Sequence, residues 1–146
     1  MRTLLIAIGN TLRRDDGVAH YVLRLAGDVT GVDRGVESRT VMQATPELAA
    51  ELARFGQVIF LDADAMPGEV RLEPIAADAV RGSALGHAMG AAEVVALARA
   101  LFGFQGEAFL CRIPGEDFTA GEGLSERARE NAAKARTLLL AVLSTP

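Results

Sequence analysis

The chain is poor in cysteine and in lysine. Cys111 is its only cysteine, Lys134 its only lysine, and tryptophan is absent. One thiol excludes an intramolecular disulfide and a cysteine-based zinc site. Cys111 sits inside an apolar run, so it reads as a buried, inert thiol rather than a nucleophile. No apolar run approaches the ~20 residues that a membrane span needs. The apolar stretch after Arg2 is too short for a signal peptide core and lacks a small-residue cleavage site. A cytoplasmic protein with no membrane partner is the expectation. Excess positive charge is missing too. Lys and Arg number 15 against 19 Asp and Glu, a formal net charge of −4. Nucleic acid is therefore not expected as a partner, because phosphate binding needs a basic patch.

What is present fits one soluble domain over residues 1–146. Half the residues are hydrophobic and 23% are charged, enough for a sizeable core. The chain is organised around the stretch from Thr3 to Gly17. Thr3 to Ile8 is an unbroken apolar run, which reads as a buried strand, and Gly9-Asn10 is a turn signal. Asp15-Asp16 follows, and then Val18, Tyr21, Val22 and Leu25 fall on one helical face. In open α/β sheets ligands sit beyond the C-terminal ends of the strands. This loop carries Asn10, Asp15 and Asp16 there. An Asp suits a helix start, where it accepts hydrogen bonds from free N–H groups. One cap needs only one Asp, which leaves the other free for chemistry.

The remaining elements alternate. Val36 to Met42 reads as a second strand toward a sheet edge. Thr45 as cap and Pro46 in the first helical position start a helix through Leu48, Leu52 and Phe55. Val58 to Leu61 is a wholly apolar strand that runs into Asp62-Ala63-Asp64. Glu69 to Pro74 alternates as an antiparallel edge strand does. Ala76 to Gly82 has no clear assignment. Ser83 to Gly90 is a loop holding His87, followed by a helix with Val94, Val95, Leu97, Ala98 and Leu101. Ala108 to Ile113 is the last strand. A loop with Gly121 and Gly123 follows, and Ser125 caps a long final helix ending in Leu138, Leu139, Val142 and Leu143. His20, inside the first helix, reads as a surface residue. The fold expected is α/β, a three-layer αβα sandwich around a twisted, mostly parallel sheet with one antiparallel edge strand.

Three rim positions stand out: Asp16, Asp62 and His87. Two carboxylates and an imidazole suit a borderline divalent ion such as nickel or zinc. The same trio could do acid–base work without metal. Other α/β sites are excluded by missing residues. No second glycine follows Gly9 as a dinucleotide loop requires, no Gly-Lys-Ser/Thr exists, and no G-x-S-x-G occurs. A phosphoacceptor receiver domain would need a lysine at the end of the last strand, which here reads Arg112-Ile113-Pro114.

Gly9-Asn10-x-Leu12-x-x-Asp15-Asp16-Gly17, then Phe60-Leu61-Asp62-Ala63, then His87 before Val94-Val95-Ala96-Leu97, resembles the hydrogenase maturation protease family. Gly121-Glu122-Gly123-Leu124-Ser125 resembles one branch of it. The resemblance implies a mostly parallel sheet between helices. It implies an endopeptidase that removes the C-terminal extension of a nickel–iron hydrogenase large-subunit precursor after nickel insertion. It implies a nickel-recognising site at Asp16, Asp62 and His87, with Asp16 and Asp62 catalytic and the nickel supplied by the bound precursor. Asp15 is then expected to cap a helix and Asn10 to shape the loop. Asp64 is a rival to Asp62. Two departures bear on this. Ala19 stands where many members have glycine, and Gln43-Ala44-Thr45-Pro46-Glu47 replaces a glycine-rich segment. A non-catalytic maturation factor and a metal-dependent hydrolase of another peptide are the alternatives.

Overall fold

Two strands built on apolar runs form the centre of the sheet. β1 (Thr3–Ile8) is buried along its whole length, and β3 (Gln57–Asp64) is buried through Leu61. Strands covered on both faces read as continuous apolar runs, which is why both were visible in the sequence. The computed structural model describes residues 1–76 and 89–143. Its strands order as β2 (Val36–Val41), β1, β3, β5 (Glu107–Pro114) and β4 (Arg71–Pro74). All neighbours run parallel except β4, which pairs antiparallel with β5 at the edge. The expected edge positions of β2 and β4 are both found.

Helices cover both faces. Leu5, Ala7, Ile59, Leu61, Cys111 and Ile113 face α1 (Val18–Leu25) and α4 (Glu126–Leu143). Leu4, Ile6, Ile8, Val58 and Phe60 face α2 (Glu47–Leu52) and α3 (Ala91–Leu101). Alternate residues of each strand thus supply the two cores. Ala128, Ala132 and Ala135 form a fully buried stripe on α4 at helical spacing. Ala19 is fully buried in the same core, so the glycine-to-alanine departure leaves α1 packed. Cys111 is fully buried, and burial pushes its thiol up to about 12. This matches the inert reading.

The topology has a switch point. From β1 the chain crosses to β2 on one side, then returns past β1 to β3 on the other. At such a point the connections leave in opposite directions and open a crevice at the strands' C-terminal ends. The crevice lies between the ends of β1 and β3, where Ile8 pairs with Asp62.

Asp15 behaves differently from its expected role. No side chain caps the short 3-10 turn Arg14–Gly17 or α1. Asp15 is instead fully buried and reaches the loop between β5 and α4. Its carboxylate accepts from the N–H groups of Glu116, Asp117 and Ser125 at 2.8 to 3.0 Å, and from the Ser125 hydroxyl at 2.7 Å. Ser125 also accepts from the Ala128 N–H, so it caps α4 as expected. Backbone bonds run alongside. The Arg14 N–H donates to the Gly121 carbonyl, the Gly121 N–H to Leu12, and the Asp15 N–H to Asp117. Gly115 allows this approach, since a Cβ there would lie 2.7 Å from the Asp15 Cβ. A smaller difference concerns α2. Pro46 is the residue before the helix rather than its first, and no side chain, Thr45 included, caps the helix.

Burial raises the Asp15 pKa, but its four hydrogen bonds outweigh that and hold it below the ordinary 3.8. The stability it supplies is present above that pH and lost as pH falls below it. Asp15→Asn places an amide among four donors and is expected to cost about 3 kcal/mol in urea unfolding at pH 7. The gap from the native chain should narrow as the pH is lowered below 4.

Candidate active site

The loop from Gly9 to Gly17 folds back so that Asp16 lies over Gly9. A Cβ on Gly9 would sit 1.9 Å from the Asp16 carbonyl oxygen and 3.8 Å from its Cγ, and Gly9 has φ +150°. Only glycine fits there. The Asp16 Oδ2 accepts from the Asn10 N–H at 2.7 Å, and the Asn10 Oδ1 accepts from the Leu12 N–H at 2.9 Å. Asn10 therefore shapes the loop, as expected. His20 is not the surface residue it seemed. It is half-buried, and its Nε2–H donates to the Gly9 carbonyl at 2.9 Å. A carbonyl accepts only, so this bond fixes the ring's tautomer.

Asp62 belongs to β3, which extends to Asp64 rather than ending at Leu61. It is half-buried, in register with Ile8 on β1 and Arg112 on β5. Its carboxyl is raised to about 7, first by burial and then by the nearby charge of Asp16. The Ala63 N–H and the Arg112 cation pull the other way, and Asp64 adds a smaller push upward. The structure thus brings Asp16 and Asp62 close enough to repel, at the mouth of the crevice. Two like charges in a half-buried site favour keeping one proton.

Asp64 is engaged elsewhere. Its Oδ1 accepts from the Met66 N–H at 3.0 Å and its Oδ2 lies 3.4 Å from Arg71. His87 lies outside the described residues, as do residues 77–82 of the segment left unassigned. Among the described residues no group of three His, Cys, Asp or Glu side chains could hold a metal ion. The sequence reading missed Arg112 as the cation beside Asp62. Its signal was present, because Arg112 stands at the end of the last strand, on the same rim as Asp62.

Asp62 gives a direct check. Its carboxyl 13C resonance should titrate with a midpoint near 7, and the midpoint should fall in Asp16→Asn. A carboxyl raised in the folded state favours folding below its unfolded pKa and loses that contribution as pH rises through its folded value. Stability should therefore decline between about pH 4 and 7, and Asp62→Asn should flatten that decline in a pH series of thermal melts.

No protein-family model matches the chain, and no curated protein matches it in sequence. Solved structures do. An endopeptidase from Escherichia coli superposes with a TM-score of 0.78 at 21% identity, over 98% of this chain and 92% of that one. The [NiFe] hydrogenase maturation protease HycI from Thermococcus kodakarensis gives 0.75 at 19%, over 99% and 93%. The hydrogenase maturating endopeptidase HybD from E. coli gives 0.72 at 18%, over 98% and 92%. With nearly the whole length of each chain superposed, this protein has the fold of the hydrogenase maturation endopeptidases.

Proposed function

We propose that this chain is a hydrogenase maturation protease, an endopeptidase that removes the C-terminal extension of a nickel–iron hydrogenase large-subunit precursor. The observation that carries the reading is the pairing of Asp16 and Asp62 at the switch point of a fold shared with such endopeptidases. The chemistry of the pair supports it. A carboxyl near pH 7 exchanges its proton in the physiological range, as a general acid–base must. Asp62 in its ionised form would take a proton from the attacking water. In its protonated form it would deliver one to the departing amine. Asp16, held by the Asn10 N–H, supplies the neighbouring charge that keeps Asp62 poised.

Nickel enters this reading as part of the substrate. Carboxylate oxygens and an imidazole are acceptable donors to a borderline divalent ion. Asp16 and Asp62, with His87, would recognise nickel already seated in the precursor. Bound metal would lend Lewis-acid polarisation of the scissile carbonyl. The recognition would make cleavage report on metal loading.

The test is the mass of the nickel-loaded precursor after incubation with the purified chain. The native protein should release the C-terminal peptide. Asp62→Asn and Asp16→Asn should each slow release by about a hundredfold or more, while Asp64→Asn should leave it largely unchanged. A precursor that binds the chain but stays intact would point to a non-catalytic maturation factor. Processing of an unrelated peptide alone would point to another metal-dependent hydrolase.

A further inference from the structure

A second feature lies on the other side of the Gly9–Gly17 loop. A cleft of about 510 Å³ opens between α1, the end of β2 and the loop before α4, lined by Thr11, His20, Arg24, Thr40, Glu122 and Gly123. A smaller extension of about 110 Å³ continues past Arg14 and Tyr21 to Arg129. The guanidinium groups of Arg24 and Arg129 both approach the Tyr21 ring, at 5.4 and 5.7 Å from its centroid. Among the described residues neither arginine forms an ion pair. Other arginines nearby are engaged. Arg14 reaches Asp117 and the Glu122 carbonyl, and Arg136 reaches Asp28.

Two unpaired cations braced on one aromatic ring are unusual in a chain of net charge −4. Among the described residues Glu122 is the only acid on the two linings, against Arg14, Arg24 and Arg129, so cleft and extension together are net positive. A guanidinium is a planar fork that matches a carboxylate through two parallel hydrogen bonds. The ring restricts each fork's freedom, which lowers the entropy lost on binding. The hydroxyls of Thr11 and Thr40 add neutral hydrogen-bonding groups suited to a peptide backbone. The cleft is also tied to the acidic pair. Thr11 belongs to the loop that carries Asp16, and His20 bonds the carbonyl of Gly9 beneath it. Arg24 lies eight residues beyond Asp16, across the end of the 3-10 turn and six residues of α1, about 13 Å of helix rise, which an extended peptide spans in about four residues.

We propose that this cleft recognises a carboxylate on the substrate peptide, about four residues from the bond that is cut. The carboxylate is either an acidic side chain or the chain's free C-terminus. The assignment of a peptide rests on the protease reading above. The protein binds through Arg24 and Arg129, with Tyr21 as their brace, independently of Asp16 and Asp62.

The experiment is an amide-shift titration of the isotopically labelled full chain at low salt. The probes are a short acetylated polyalanine peptide with a free C-terminus, its C-terminal amide, the amide carrying one internal glutamate, and inorganic phosphate. Resonances of Thr11, His20 to Arg24 and Gly123 should move with a carboxylate-bearing peptide and not with the plain amide. Which of the two carboxylate peptides acts identifies the source. Arg24→Gln and Arg129→Gln, both at exposed positions, should each weaken binding about tenfold. The proposal is overturned if the plain amide binds equally, if the double arginine variant binds normally, or if phosphate binds more tightly than both carboxylate peptides. Carboxylate binding without any precursor cleavage would remove the protease reading and keep the site. Cleavage with the affinity and KM of the arginine variants unchanged would do the reverse.

Discussion

The buried carboxylate of Asp15 is the constraint on which the site depends. It accepts four hydrogen bonds from a loop a hundred residues further along the chain. A buried charge costs several kcal/mol unless it is fully bonded, so the two loops must close together or not at all. The closure sets the path of the chain from Leu12 to Asp16. Asp16 is then delivered over Gly9, the one residue type that tolerates its carbonyl at that range. The adjacent Asp15 and Asp16 thus divide the work, one building the loop and the other facing the crevice.

The electrostatics of the pair at the crevice come from opposing neighbours. Asp62 is placed by register with β1 and β5, on rigid strands rather than on a loop. Its neighbours oppose one another. Burial and Asp16 raise its pKa, while the Ala63 N–H and Arg112 lower it, and the balance falls near 7. Groups poised in this way cluster at functional sites because chemistry at neutral pH needs them. Asp64, two residues on, is tied to Met66 and Arg71.

Much of this was legible in the sequence, for physical reasons. The central strands announced themselves as apolar runs because both of their faces are buried. The edge strands showed mixed patterns because one face is wet. The position of Asp16 and Asp62 at the rim was legible because each follows a buried apolar run. The role of Asp15 was not legible. Local reasoning offers an Asp before a helix the job of a cap, and its true partners, Glu116, Asp117 and Ser125, are far away in sequence. The one hint was the glycine-bearing loop ahead of Ser125, since exposed N–H groups there need an acceptor. His20 was misread similarly, because a helical position gives no sign of a carbonyl beneath it. The arginine cleft draws Arg24 and Arg129 from opposite ends of the chain, so only the folded chain brings them to one ring.

The proposed function requires that Asp16 and Asp62, from two separate elements, form one site that can face a metal ion. Paramagnetic line broadening by added Ni2+ tests it most directly. The account predicts that the amide signals of Gly9, Asn10 and Asp16 broaden together with those of Asp62 and Ala63, and that Asp62→Asn abolishes the effect on the Gly9–Asp16 loop as well as on β3. Broadening confined to one of the two elements, or undiminished in Asp62→Asn, would contradict it.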